Sequence, residues 1–232
     1  MTAVGAVLLA LCVLAGPYGV AAAVLLLSCG FAVGWPALMD VPAPRGSAIV
    51  IIAAAVACIG IVLVAQSPAY LSLVLAFGVI GAFLQQMART EGRESLVAAV
   101  AATVAGVVVV VSANGWVLAA MDFAGEETVI AALAVLVIAS AVTAIPFPSA
   151  YGAAAAAVIG AGAGLALGAV LPHLSLVTGA ILGLVAGGMM ALSHMVLGSF
   201  PAANRWHAAL AAALLPILVI GIPVHLLAAL AA

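Results

Sequence analysis

Residues 85–95 read Gln85-Gln86-Met87-Ala88-Arg89-Thr90-Glu91-Gly92-Arg93-Glu94-Ser95, which is the densest polar run in the chain. The run contains two of the four basic residues, Arg89 and Arg93, and long apolar runs flank it on both sides. Each charge placed in hydrocarbon costs several kcal/mol, so this run cannot cross a bilayer. We therefore predict a loop at a membrane face, and its two arginines indicate the cytoplasmic face.

The composition indicates the class of protein to which this loop belongs. Of 232 residues, 69% are hydrophobic and 4% are charged, whereas a soluble domain carries about 25% charged residues. These values predict an all-α bundle of transmembrane helices. Because the loops between the apolar runs are short, we expect residues 1–232 to form a single transmembrane domain with no extramembrane domain. The net charge of −2 disfavours nucleic acid as a partner, because phosphate binding needs a basic surface.

The apolar runs set the number of spans, since a helix needs about 20 apolar residues to cross a bilayer. We predict nine spans: 2–15, 19–36, 48–65, 69–87, 95–119, 128–145, 149–170, 174–197 and 207–230. The count falls to eight if residues 2–36 form one bent helix. Between the second and third spans we expect a non-helical loop over 36–47, because it contains Pro36, Pro42 and Pro44.

Alternation of these spans places the charged loops on two sides of the membrane. All four basic residues fall on one side: Arg45, Arg89, Arg93 and Arg205. Three acids fall on the other side, where there is no basic residue: Asp122, Glu126 and Glu127. Basic residues favour cytoplasmic loops. We therefore predict a multi-pass protein of the cytoplasmic (inner) membrane whose arginine-bearing loops face the cytoplasm.

Two consecutive predicted spans carry glycine at every fourth position. These glycines are Gly160, Gly164 and Gly168 on one span and Gly179, Gly183 and Gly187 on the next. Residues four apart share a helix face, and a face without side chains allows two backbones to approach closely. We interpret them as a glycine zipper that packs the two helices together. A glycine-lined cavity for a lipid tail is the alternative.

Other polar and aromatic residues predict interfacial or structural roles. The tryptophans, Trp35, Trp116 and Trp206, lie at predicted span ends, as in an aromatic belt. Five polar residues within spans are expected to form hydrogen bonds between helices: Ser112, Asn114, Ser140, Thr143 and Thr178. His194 and His225 lie near opposite membrane faces, so they cannot share a proton. We expect no special role for the histidines.

The sequence indicates neither an ion-coupled carrier nor a metal enzyme. No Asp, Glu, Lys or Arg lies within a predicted span, and coupled carriers usually need such a residue in the membrane. The three cysteines lack metal-ligand spacing. We therefore predict no catalytic residue, no metal site and no cofactor.

The four arginines are the candidate binding site. They come from three predicted loops on one side and could converge there: Arg45, Arg89, Arg93 and Arg205. Arginine side chains bind phosphate well, and basic pockets on the cytoplasmic side bind lipid head groups. The alternative is that these arginines only set the topology.

Two short stretches near the C-terminus resemble a known signature. Ser193-His194-Met195 and Asn204-Arg205-Trp206-His207 resemble parts of the motif of the phosphatidate cytidylyltransferase (CDP-diacylglycerol synthase) family, Ser-x-hydrophobic-Lys-Arg and then Asp-Arg-hydrophobic-Asp. Val196-Leu197 replaces Lys-Arg, and Asn204 and His207 replace the two acids. The resemblance implies a polytopic membrane fold. The family's acids hold magnesium for phosphoryl chemistry, so their loss implies that this chain does not catalyse that reaction.

These observations lead to one main function and two alternatives. The main prediction is a non-catalytic membrane protein, a scaffold or accessory subunit that binds a lipid head group at its inner face. Its partners would be membrane lipids and another membrane protein. The first alternative is an uncoupled facilitator or flippase for an apolar or lipid substrate. The second is a lipid-phosphate transferase related to the family above.

Overall fold

Helices make up almost all of the part of the chain that the structure describes. The computed structural model describes residues 1–88, 95–122, 125–145, 149–197, 200 and 205–231. The helices are α1 (Thr2–Val13), α2 (Gly16–Leu38), α3 (Pro44–Ala65), α4 (Leu71–Met87), α5 (Leu96–Ala113), α6 (Gly115–Ala119), α7 (Gly125–Thr143), α8 (Ser149–Val170), α9 (Leu176–Leu197), α10 (Trp206–Val219) and α11 (Gly221–Ala231). A 3-10 turn at Pro68–Tyr70 precedes α4, and the described residues contain no β-strand.

Long apolar helices dominate this architecture. Within the described residues, eight helical segments are long and apolar enough to cross a membrane. The pairs α5–α6 and α10–α11 each form one such segment, and α1 is a shorter apolar helix. The fold is therefore an all-α bundle of membrane-spanning helices, and the chain is a multi-pass membrane protein. The predicted fold class is confirmed.

The helices α1 and α2 form a hairpin. Gly16 adopts a φ of 73°, a left-handed conformation that glycine accepts without strain. The chain reverses there, so that a Cβ atom at Gly5 would lie 3.7 Å from Leu27. Residues 2–36 therefore form two helices, as predicted. With 12 residues, α1 is about 18 Å long, which is less than the hydrocarbon thickness of about 30 Å.

The connection between α2 and α3 is shorter than the sequence predicts. Pro36 lies inside the last turn of α2, and Pro44 is the first residue of α3. A helix can begin with proline because the first backbone N–H of a helix has no partner within the helix. The prediction of a non-helical segment over 36–47 is therefore wrong at both ends, and residues 39–43 connect the two helices.

The helices α2 and α10 lie at the centre, and α3 and α4 lie at the periphery. The span of α2 is the most buried of the eight, and the span Pro68–Met87 is the least buried. A Cβ atom at Gly34 of α2 would lie 3.0 Å from the Cβ of Ala211 in α10, so the two helices are in close contact. Side chains on the outer faces of α3 and α4 are left to contact lipid.

Two membrane-spanning segments are interrupted where they meet each other. The helices α5 and α6 are separated at Asn114, and α10 and α11 are separated at Ile220. A Cβ atom at Gly115 would overlap the carbonyl group of Gly221, so the two backbones are in direct contact. Irregular backbone at membrane depth is tolerated where it is buried in protein, as it is here.

Candidate functional site

The described arginines lie at one end of the bundle. Arg205 precedes α10, and its Nη1 lies 3.9 Å from Oδ1 of Asp40 in the α2–α3 connection. Both side chains are exposed, so this ion pair contributes little to stability. Arg45 is exposed in the first turn of α3. The next residue, Gly46, lies against the side chain of Gln85 near the end of α4.

Two of the four predicted binding residues can therefore be placed. Arg45 and Arg205 lie at the starts of α3 and α10, and each of these helices borders a concave surface. Arg89 and Arg93 lie outside the described residues. The structure brings Arg205 to Asp40 and records no ion pair between Arg45 and a described residue.

Acid–histidine pairs lie at the other end of the bundle. Oε1 of Glu127 lies 2.9 Å from Nδ1 of His173, and Oε2 accepts the backbone N–H of His173 at 3.0 Å. Oδ2 of Asp122 lies 3.2 Å from Nδ1 of His225, without the alignment of a hydrogen bond. Neither pair was predicted from the sequence. The partners are far apart in the sequence, so only the tertiary structure brings them together.

A groove of 500 Å³ lies between α3 and α4. On the α3 side it is lined by Ile49, Ala53 and Ala57, and on the α4 side by Phe77 and Gly78. A second depression of 360 Å³ shares Ile61 with this groove and extends it to Tyr70. All of these lining residues are apolar except for the hydroxyl group of Tyr70. The groove is open on the outer side of the bundle, where Ile49 and Phe77 are exposed.

Arg45 lies in register with this groove. Arg45, Ile49 and Ala53 follow each other at intervals of four residues, so they share one face of α3. The first turn of α3 has no side-chain cap, because its N-cap residue is Ala43. Backbone N–H groups at such a helix start attract anions, and the arginine adds a full positive charge. The arginine end of the groove is therefore suited to a negatively charged group.

The six glycines spaced four apart in α8 and α9 lie where these two helices meet, and the two helices share the most extensive contact in the described bundle. A Cβ atom at Gly160 would lie 2.8 Å from the Cα of Gly187, and one at Gly164 would lie 2.7 Å from the Cα of Gly183. A Cβ at Gly168 would lie 3.3 Å from the Cα of Gly179. At each of these positions the neighbour is backbone, and an alanine methyl group would not fit.

The polar side chains within spans behave differently from the sequence prediction. Ser112 does bond between helices, since its hydroxyl donates to the Val219 carbonyl at 2.6 Å. The others bond within their own helix or its first turn: Asn114 to Val110, Ser140 to Val137, Thr143 to Ser140 and Thr178 to Ser175. For these four residues the prediction of interhelical bonds is wrong, because a nearby carbonyl or hydroxyl of the same segment satisfies them first.

The prediction that the three tryptophans form an aromatic belt is wrong for two of them. Trp35 is 7% exposed and donates its Nε1–H to the Ala102 carbonyl at 2.7 Å. Trp116 is fully buried and donates to the Ile217 carbonyl at 2.8 Å. Only Trp206, which is 70% exposed, has the exposure expected of an aromatic belt. Position near a span end did not distinguish a residue that faces lipid from one that faces a neighbouring helix.

At the interruptions near Asn114 and Ile220, side chains donate hydrogen bonds to backbone carbonyl groups. Pro223 has no N–H to offer the Val219 carbonyl, and Ser112 supplies a donor instead. Trp116 supplies a donor to Ile217 in the last turn of α10. The Oδ1 atom of Asn114 is buried there without a hydrogen-bond partner. Two backbone carbonyl groups at this crossing, those of Ile217 and Val219, therefore each accept a hydrogen bond from a side chain.

A smaller pocket of 230 Å³ lies between α9 and α10. Ser193 and His194 of α9 line it opposite Ala212 and Pro216 of α10. It is more polar than the groove between α3 and α4. It lies toward the arginine end, since His194 is in the last turn of α9.

The described residues offer no metal centre. Among them, no group of three or more His, Cys, Asp or Glu side chains is arranged so that it could hold a metal ion. Ser193, His194 and His207, which lie in the stretches that resemble the cytidylyltransferase motif, are described, whereas Asn204 is not. That resemblance stays a prediction. Comparison with protein-family models, curated proteins and solved structures finds no match to this chain.

Proposed function

We propose that this chain is a non-catalytic membrane protein that binds an anionic lipid in the groove between α3 and α4. The observation that carries the proposal is the register between Arg45 and the groove-lining residues Ile49 and Ala53. A lipid bound there would place its phosphate beside Arg45 and its acyl chain along α3. In this role the protein would act as a scaffold or accessory subunit that holds a lipid or presents it to a partner.

The dimensions of the groove support an acyl chain. From Ile49 to Val64, which line the groove and its extension, the helix rises about 22 Å. One leaflet of hydrocarbon is about 15 Å thick, so the surface accommodates a chain through the full depth of a leaflet. A second membrane helix is the competing occupant. An acyl chain fits better because the charge at the end of the groove matches a phosphate head group.

Lipid binding by purified variants tests the proposal. We expect native mass spectrometry to show that the wild-type protein retains phosphatidylglycerol more strongly than phosphatidylcholine. Arg45→Gln should lower binding of phosphatidylglycerol about fivefold, since one arginine near anionic lipid contributes about 1 kcal/mol. Arg205→Gln is the control, because that guanidinium lies beside Asp40. Equal retention by both variants and the wild type would refute a role for Arg45.

A second pair of variants tests the groove itself. Ala57 lines the groove, whereas the neighbouring Val56 is 53% exposed and does not line it. We expect Ala57→Phe to fill the groove and reduce retention of phosphatidylglycerol, and Val56→Phe to leave it unchanged. If both variants retain lipid equally, the groove is not the binding surface. Loss of a co-purifying membrane protein in Ala57→Phe, with lipid retention intact, would identify a partner helix as the occupant instead.

The alternative of an uncoupled facilitator is favoured by one observation. Interrupted helices commonly form the substrate site of transporters, and α5–α6 and α10–α11 are interrupted at the point where they cross. However, Ser112 and Trp116 donate hydrogen bonds to two of the carbonyl groups at this crossing. The backbones of Gly115 and Gly221 are in direct contact, so no space for a substrate is left between them. These contacts make lipid binding at the periphery the better supported function.

A further inference from the structure

The pocket between α9 and α10 has an unusual balance of hydrogen-bonding groups. The Ser193 hydroxyl donates its only proton to the Met189 carbonyl at 2.8 Å, so its oxygen can only accept a further hydrogen bond. Pro216 has no N–H, so the Ala212 carbonyl lacks the donor that an α-helix normally provides four residues later. Ser193 and Ala212 both line the pocket. The residues that line the pocket therefore include two oxygen acceptors, the Ser193 hydroxyl and the Ala212 carbonyl, that lack a donor from their own helices.

His194 adds a third polar group to the same pocket. Its side chain is half-buried, lines the pocket and has no hydrogen bond to a described residue. A neutral imidazole donates at one ring nitrogen and accepts at the other. Polar groups at membrane depth need partners, because hydrocarbon provides none. A ligand that satisfies this pocket must therefore donate at least two hydrogen bonds and accept one.

This requirement excludes several classes of ligand. A phosphate or carboxylate group is a poor fit, because an ionised oxygen has no proton to donate to Ser193 or Ala212. An ammonium ion is a poor fit, because none of the described residues that line the pocket is acidic. A neutral molecule with two adjacent hydroxyl groups meets the requirement, since each hydroxyl both donates and accepts.

We propose that this pocket binds a vicinal diol, supplied either by a free polyol or by the glycerol head group of a lipid. The position of the pocket allows both sources. His194 is three residues before the end of α9, so it lies about 4.5 Å inside that end. Pro216 is ten residues after the start of α10, about 15 Å along that helix. The pocket thus extends from the level of lipid head groups into the bundle.

The test compares two lipids of equal charge that differ in the diol. Phosphatidylglycerol carries a glycerol head group, and phosphatidylmethanol has the same charge without the diol. We expect native mass spectrometry to show that the wild-type protein retains phosphatidylglycerol about fivefold more strongly, the ratio that one or two additional hydrogen bonds produce. Free glycerol and myo-inositol, tested by saturation-transfer NMR in lipid-free detergent, distinguish a soluble ligand from a lipid head group.

Variants assign the preference to the pocket. Ser193→Ala and His194→Phe should remove the preference for the diol, whereas His207→Phe, at the same end of the bundle but not lining the pocket, should retain it. A preference for phosphatidylglycerol or binding of a free polyol supports the proposal if it depends on Ser193 and His194. Absence of both, or a preference that survives in Ser193→Ala and His194→Phe, overturns it. Arg45→Gln should weaken the binding of both lipids by the same factor. Failure of the diol proposal can therefore be distinguished from failure of the proposed lipid site in the groove between α3 and α4.

Discussion

At the residue scale, polar side chains in this bundle mainly satisfy backbone carbonyl groups. Trp35 and Trp116 each donate an indole N–H to a carbonyl of another helix, and Thr2 donates its hydroxyl to Ala213 at 2.9 Å. Hydrocarbon contains no water to replace such donors. A backbone carbonyl oxygen has two lone pairs, so a carbonyl inside a helix can accept a second hydrogen bond from such a donor. These bonds satisfy the indole N–H groups and allow the bulky indoles to be buried near span ends.

Trp116→Phe tests this role at the crossing of the interrupted helices. The change removes the donor to the Ile217 carbonyl and leaves a cavity beside the smaller ring, so we expect the free energy of unfolding to fall by more than the contribution of one hydrogen bond, about 1 kcal/mol. Unfolding in mixed detergent and denaturant measures it. Trp206→Phe is the matched control, because Trp206 is 70% exposed. A loss of the same size in both variants would mean that the bond to Ile217 adds nothing.

Some of the candidate site residues could be predicted from the sequence, and others could not, for a physical reason. Arg45 and Arg205 could be predicted because charged residues are rare in an apolar chain and are restricted to the loops and the ends of its spans. The groove could not be found, because Ala53, Ala57 and Gly78 are ordinary small residues in apolar spans. Their importance depends on the rotation of α3 relative to α4, and hydropathy does not encode that rotation.

At the element scale, hydropathy predicts the positions of the helices, whereas contacts between distant segments determine where the helices are interrupted. The apolar runs predicted every long helix, with errors at the ends where Pro36 and Pro44 are accepted within helices. The interruption at Asn114 was missed, since residues 95–119 form one apolar run. It lies where Gly115 meets Gly221, and that contact between distant segments is not visible in either run alone.

The contact between α8 and α9 gives a sharp test of helix packing. Gly164→Ala would place a methyl group 2.7 Å from the Cα of Gly183, and backbone cannot move aside as a side chain can. We expect the free energy of unfolding to fall by about 1–3 kcal/mol, as for other overpacked sites. Gly162→Ala is the control on the same helix, since nothing lies within 4 Å of a Cβ there.

The control should move in the opposite direction. Alanine favours a helix by about 1 kcal/mol over glycine, so Gly162→Ala should be neutral or stabilising. Thermal unfolding in detergent compares the two variants with the wild type. If Gly164→Ala is as stable as Gly162→Ala, the glycines do not determine how closely α8 and α9 approach.

At the scale of the whole molecule, the two ends of the bundle differ in charge. The described arginines, Arg45 and Arg205, lie at one end, and the acids Asp122 and Glu127 lie at the other, each beside a histidine. The groove and the pocket both extend toward the arginine end. Both proposed ligands would therefore enter from the same side of the membrane, and the orientation of the chain decides which leaflet supplies them.

Cysteine labelling in intact cells tests the predicted orientation. Pro42 is exposed in the α2–α3 connection at the arginine end, and Ala69 is exposed in the turn beyond the other end of α3. The 22 residues of α3 separate the two positions by about 33 Å. In a background without Cys12, Cys29 and Cys58, an impermeant maleimide should label Ala69→Cys in intact cells.

Pro42→Cys should react only after the cells are permeabilised, because basic residues favour the cytoplasmic side. This second measurement also controls for accessibility. A site that reacts under neither condition is buried in its surroundings, and Pro44→Cys, at the next exposed residue, then replaces it. Labelling of the arginine end in intact cells would show that the orientation is the reverse of the predicted one. The anionic lipid proposed for the groove would then come from the outer leaflet, where Arg45 would meet it.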